Sequence, residues 1–226
     1  MFRYLPVFVA VAVSVLSSAF IPSLKADEPD NTAAGALSGT GEGAAPKNEL
    51  AFGLGGIPST PRNTTRDRLA LGPGTALQVN YGRRFVSGEH LALYGEINFL
   101  ASPLRGVSSN LTSATRDVAS LYFTPGIRVK CFPSSRISPY LSAGWGLGLY
   151  EQSTTQLDGR ANPVPRELVH GAFGFGGGVD VRVWRLLALR GEARDFYTGT
   201  PNYNVATIAG GQHNVVAVGA FVLRWH

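Results

Sequence analysis

In eight separate stretches of the chain, near residues 49–57, 75–85, 90–101, 118–132, 138–150, 171–182, 186–197 and 213–225, apolar residues recur at every second position. A period of two is the mark of a strand whose two faces meet different surroundings, because successive side chains leave a strand on opposite sides. No stretch of useful length carries the 3.6-residue period of an amphipathic helix. The connections are as regular as the strands. Residues 58–74, 102–117, 151–170 and 198–212 are long, and 86–89, 133–137 and 183–185 between them are short. Antiparallel strands in sequence order therefore place all the short turns at one end and all the long loops at the other. An even strand count with loops sorted in this way is the pattern of outer-membrane barrels.

Which face looks outward decides between a soluble and a membrane barrel. In the fifth stretch Leu141, Ala143, Trp145, Leu147 and Leu149 share one face, and Tyr140, Ser142, Gly144, Gly146, Gly148 and Tyr150 share the other. In the third, Leu91, Leu93, Ile97 and Phe99 oppose Tyr94, Glu96 and Asn98. In the seventh, Leu187, Leu189 and Ala193 oppose Arg190, Glu192 and Arg194. A soluble barrel would turn the leucines inward and leave glycine and tyrosine to face water, a poor solvent surface. A membrane barrel turns the leucines to lipid and packs the polar face inside. The inward glycines then suit a lumen of small radius. In hydrocarbon an unpaired backbone N–H or C=O costs several kcal/mol, so the sheet must close on itself. The expected fold is thus all-β, an eight-stranded antiparallel up-and-down transmembrane barrel with short periplasmic turns and long extracellular loops. Phe85, Phe132, Trp184 and Trp225 at the short-turn side, and Phe99, Tyr150 and Tyr197 at the other, are expected to form two interfacial girdles.

Composition agrees with a surface that is not all wet. Charged residues make up 15% of the 226, against about 25% in soluble domains. The N-terminus reads as a secretory signal over residues 1–26, with Arg3 before an apolar Leu5–Ile21 run and cleavage after Ala19 or Ala26. Residues 27–47 are small and polar and read as a disordered periplasmic tail; the barrel is expected over 48–226. Loss of Arg3 and Lys25 with the signal leaves 18 basic and 15 acidic residues, scattered without run or stripe, so nucleic acid is not an expected partner. A single cysteine, Cys131, excludes a disulfide framework within the chain.

The segments "LYFTPGIRVKCF", "SPYLSAGWGLGLYE", "GAFGFGGGVDVRV" and "LALRGEARDFYTG" resemble the outer-membrane β-barrel domain family, which takes in OmpA-like transmembrane domains and relatives of the OmpW and opacity type. The resemblance spans roughly residues 48–226 and implies architecture more than activity. The last strand also resembles that family's terminal assembly signal, with Phe221, Leu223 and Trp225 on one parity; His226, one residue beyond the aromatic, departs from it. This implies the barrel-assembly machinery as a partner, beside the lipid and lipopolysaccharide of the outer membrane. The wall-anchoring role of full-length OmpA-like proteins is not expected here, since no peptidoglycan-binding domain is read after the barrel.

The candidate site is the interior. Glu96, Arg128, Lys130, Asp180, Arg182, Arg190, Glu192 and Arg194 fall on inward parity, and buried charges that do not pair are costly. They are expected to close the lumen as a charge network; an ion-selective path is the alternative. The glycines of 171–178 lack phosphate-cradle spacing and continue as strand. Of the histidines, His90 lies near a short turn, His170 and His213 border long loops, and His226 ends the chain. None has an adjacent serine on a lipid-facing strand or a third group to orient a base, as a lipid A deacylase of this architecture would need. No catalytic residue, cofactor or metal is therefore assigned. Arg62, Arg66 and Arg68 in the first long loop, against Asp67 alone, leave room for an anionic or other surface ligand. Three functions stand in order: a non-enzymatic envelope protein with surface-binding loops, a narrow channel for small or apolar solutes, and a lipid A-modifying enzyme.

Overall fold

A computed structural model describes residues 46–226, apart from Thr65, Thr200, Asn202 and Ala209. The expected signal and nearly all of the expected tail lie outside the described residues. Ten strands follow one another: β1 (Asn48–Ile57), β2 (Thr60–Asn63), β3 (Arg68–Leu71), β4 (Gly74–Ser87), β5 (Leu91–Ser109), β6 (Asp117–Cys131), β7 (Ile137–Gln152), β8 (Glu167–Arg182), β9 (Leu187–Thr198) and β10 (Gln212–Trp225). Eight of them pair antiparallel in the ring β1–β4–β5–β6–β7–β8–β9–β10. The ring closes where β10 meets β1, from Asn48↔Trp225 to Gly56↔Ala217.

Parity places the side chains as the alternation requires. Leu141 is 72% exposed and Leu147 53%, with Tyr140 and Ser142 buried between and beside them. On β9, Arg190, Glu192 and Arg194 are buried and Leu189 and Tyr197 face out. An outer wall of bare leucine, phenylalanine and tryptophan is stable only in hydrocarbon, since water would charge about 25 cal/mol for each Å² of it. One strand departs from the expected apolar-out, polar-in rule. The inward residues of β10 include Val216, Val218, Ala220 and Val222, all buried, so this wall of the lumen is apolar.

Two further expectations are corrected. Tyr150 is not in the outer girdle: it shares the inward parity of β7, is 1% exposed, and bonds Thr198 across the lumen. The first long connection is not all loop. Its hairpin, β2–β3, docks on an extension of β5 through Leu69↔Ser109 and Leu71↔Val107. A register shift between Ser102 and Arg105 lets β5 bend and run on above the ring. With the segments at 110–116 and 203–208, this hairpin covers the long-loop mouth. Leu69, Leu71, Val107, Ala114, Tyr203, Val205 and Ile208 are buried beneath it.

Candidate functional site

The interior is built from strands that lie far apart in sequence. Glu49, the first inward residue of β1, accepts from Lys130 Nζ at 2.6 Å, Arg128 Nη1 at 3.0 Å and Arg190 Nη2 at 3.2 Å. Asp180 on β8 takes Arg190 Nε at 2.7 Å and Nη2 at 3.0 Å, and also Lys130 Nζ at 2.6 Å. The register explains the first pair, because Asp180 and Arg190 face each other directly across β8 and β9. Glu96 joins Arg128 Nε at 2.7 Å to Arg194 Nη2 at 2.6 Å. Glu192 accepts from Arg194 Nε at 2.9 Å, Gln78 Nε2 at 2.8 Å and Tyr140 OH at 2.5 Å. Four carboxylates thus interleave with Arg128, Lys130, Arg190 and Arg194 in one connected array, nearly all of it out of contact with solvent.

Neutral groups fill the remaining valences. Asn80 Oδ1 accepts from Arg128 Nη2 at 2.6 Å, and Asn98 Oδ1 from Gln78 Nε2 at 2.8 Å. The rings of Tyr94 and Tyr140 lie against the cations, with Lys130 Nζ 4.9 Å from the Tyr94 centroid and Arg190 Cζ 4.9 Å from that of Tyr140. Glycines give these long side chains their room. A Cβ on Gly82 would lie 2.9 Å from Arg128 Nη2, and one on Gly178 2.6 Å from the Tyr140 hydroxyl. Gly82 on β4 and Gly178 on β8 are thus part of the space that the array occupies.

Sequence parity found seven of the eight expected members. The exception is Arg182. It shares the inward parity, but it sits at the short-turn end, is half-buried, and forms no ion pair among the described residues; its backbone N–H donates to Arg136 O at 2.8 Å. Its side chain keeps contact with solvent there, so water can take the place of a carboxylate. Parity would also have found two residues that were missed. Glu49 lies in step with Ala51 and Gly53, and Arg224 in step with Val222 and Ala220. Arg224 Nε lies 3.4 Å from Glu49 Oε1 without hydrogen-bond alignment, so it adds charge more than it adds a bond.

Above the array Tyr122 stacks on Phe196, with centroids 4.7 Å apart, and its hydroxyl donates to Tyr150 OH at 3.3 Å. Higher still, Arg105 reaches under the hairpin. It donates from Nε to Gly72 O at 2.9 Å and from Nη2 to Pro58 O at 3.1 Å, and so ties the cover to the wall. Arg105 was not singled out in the sequence, because it follows the register shift that breaks its parity.

The histidines are dispersed. His90 packs edge-on against Phe132, and His170 against Tyr150. His213 does have an orienting group: Asp195 Oδ2 lies 2.6 Å from its Nδ1 on the outer wall, a pairing that sequence spacing hid because the two are brought together only by the β9–β10 register. Its ring neighbour is Tyr197, at 4.9 Å, and no serine, threonine or cysteine is hydrogen-bonded to it among the described residues. Phe221 and Leu223 are exposed on the outer face of β10, and Trp225 lies 6.4 Å from Tyr81 across the closing seam.

Solved structures share this architecture. Neisserial surface protein A aligns with a TM-score of 0.50 at 14% identity, over 79% of this chain and 96% of that one. Ail, the attachment invasion locus protein of Yersinia pestis, aligns with a TM-score of 0.48 at 10% identity over 80% and 99%. OprG from Pseudomonas aeruginosa gives 0.46 at 11% over 82% and 99%. No protein-family model and no curated protein matches the sequence. At these identities the likeness is one of fold. With a closed eight-strand ring, an apolar outer wall and a charged core, the chain is a small β-barrel of the outer-membrane type.

Proposed function

We propose that this barrel is a closed, non-enzymatic scaffold of the outer membrane, which contributes to envelope structure and presents its covered long-loop end as a binding surface. The observation that carries the reading is the connected array around Glu49, Asp180, Glu96 and Glu192, which spans the lumen from β1 to β9. An eight-stranded lumen is about wide enough to be filled by side chains, and paired charges held at 2.6–3.0 Å leave no row of ligands for a moving ion. Planar bilayers holding the purified protein are expected to stay electrically quiet. Sustained, discrete conductance steps would reject the scaffold in favour of a narrow channel. One observation favours that second reading: Thr124 Oγ1, Ser142 Oγ and Asn98 Nδ2 are buried without protein hydrogen-bond partners, as polar groups beside a file of water would be.

The binding surface is supported by the order of the cover. Residues buried beneath the hairpin, and the Arg105 bonds that fasten it, hold the outer end in one shape, and a surface ordered in advance loses less entropy when it binds. Lipopolysaccharide surrounds this end, and Arg62, Arg66 and Arg68 are the cations that the hairpin offers it. A lipid A-modifying role is disfavoured because, among the described residues, no serine, threonine or cysteine is hydrogen-bonded to His213. The barrel-assembly machinery is the proposed partner of Phe221, Leu223 and Trp225. Deleting Trp225 with His226 is expected to slow appearance of the heat-modifiable folded form in cells, while deleting His226 alone has little effect. Equal delay from both deletions would show that the terminal residue, and not the aromatic, is read.

A further inference from the structure

The two ends of the barrel differ in charge. At the long-loop end the exposed and half-buried cations Arg62, Arg66, Arg68, Arg116, Arg160 and Arg166 are matched by Asp67, Asp117, Glu151, Asp158, Glu167 and Asp195. Some pair directly, as Arg160 does with Asp158 and Arg166 with Glu151. At the short-turn end, among the described residues, Lys47, Arg83, Arg84, Arg136, Arg182 and Arg185 stand against one acidic side chain, Glu89. None of these six forms an ion pair among the described residues.

The six cations fall into two groups. Arg84 N donates to Lys47 O at 2.7 Å, which brings Lys47, Arg83 and Arg84 together where β1 meets β4. Arg182 N donates to Arg136 O at 2.8 Å, and Arg185 follows in the next turn, so these three share the β7–β8–β9 side. The same end carries the aromatic belt: Phe85, Phe132 and Trp184 are exposed, and Trp225 pairs with Tyr81. Arg83 is itself on the outer face of β4, exposed and in line with Tyr81 and Phe85, and Asn48 separates it from Trp225 in the register. A guanidinium aimed sideways out of an aromatic belt meets the layer where phosphates lie, not water and not hydrocarbon.

We propose that the short-turn rim binds the headgroups of anionic phospholipids in the leaflet facing the periplasm, through these two clusters of three cations. The proposal rests on the membrane reading above. Uncompensated cations beside a lipid surface attract anionic headgroups, at roughly fivefold in occupancy for each Lys or Arg near the surface, and salt weakens the attraction. Arginine adds a fork that matches phosphate with two parallel hydrogen bonds. A balanced rim, such as the long-loop end, gains nothing from the same lipid.

Native mass spectrometry tests this with protein released from nanodiscs that contain phosphatidylethanolamine and phosphatidylglycerol in equal parts. The wild type is expected to retain phosphatidylglycerol at least about fivefold over phosphatidylethanolamine at low salt, and less as salt rises. R83Q is expected to lose part of that preference and R83Q/R136Q/R185Q most of it, while R66Q at the opposite end keeps it. Heat-modifiability verifies that each variant is folded. Equal retention of the two lipids by folded wild type would overturn the proposal, as would a preference that survives the triple change. Co-sedimentation of the wild type with isolated cell-wall polymer, without lipid preference, would also overturn it by giving the rim a different occupant. Failure of folded protein to enter nanodiscs at all would instead sink the membrane reading.

Discussion

Glu49→Leu is expected to lower the unfolding midpoint in detergent more than any other single change in the lumen. The carboxylate contacts Lys130, Arg128 and Arg190 at 2.6, 3.0 and 3.2 Å, with Arg224 at 3.4 Å. Without it five buried cations share three carboxylates, and the nearest three lose a partner at once. Breaking a buried pair by removing one member costs about 3–5 kcal/mol, because the other charge stays buried and unmatched. Leucine fills similar volume, so the loss reports charge and not a cavity. Glu49→Gln keeps the acceptor oxygen and should fall between leucine and wild type. Arg224→Met removes a charge without a well-formed hydrogen bond and should cost much less. A midpoint unchanged in Glu49→Leu would mean that water reaches the array, and with it the case for a closed lumen fails.

The second large effect is expected on the outer wall. Leu147 lies about two-thirds of the way along β7, outward and 53% exposed, beside the Trp145–Phe173 pair. Arginine there sets a charge against hydrocarbon, a change that costs about 2–4 kcal/mol at the midplane and less towards the rim. Leu147→Arg should therefore sharply reduce the folded fraction recovered in lipid vesicles, while Leu147→Phe should not. Normal insertion of the arginine variant would invert the assignment of faces. The neighbouring Gly146 is no substitute as a probe, because a Cβ there would lie 1.9 Å from Phe123 O. Any residue placed at 146 disrupts the wall by steric means alone.

Much of this fold was legible because a strand writes its surroundings at a period of two. Parity alone assigned Leu141 to lipid and Arg190, Glu192 and Arg194 to the lumen, and it set Asp180 and Arg190 on the same inner face across a four-residue turn. It failed where backbone geometry, not pattern, decides. The register shift before Arg105 reverses the faces of β5, and Pro103 inside it is the one local sign of the bulge. The docking of β2–β3 depends on β5 running past the ring, which the sequence of 58–74 does not state. Partners were harder than faces. Asp195 and His213 are 18 residues apart and meet only through register, and Glu49 was overlooked because its four cations come from three other strands, each distant in the chain. Arg182 shows the opposite error, since parity says which way a side chain points but not how deep it lies.

The seam between β1 and β10 gives the charge array a kinetic meaning. Every cation of the lumen and three of its carboxylates belong to strands β5 to β10, and these can zip up in order as neighbours. The fourth carboxylate arrives only when the first strand swings across to meet the last. Without it the inner surface of β5 to β10 carries Arg128, Lys130, Arg190, Arg194 and Arg224 against Glu96, Asp180 and Glu192. Docking of β1 delivers Glu49 to Arg128, Lys130, Arg190 and Arg224 in a single step. The last hydrogen-bonded edge and the last counter-charge thus arrive together, so a nearly shut barrel has little standing as a resting state. The array works as a latch, and it is set by the chain's own first strand.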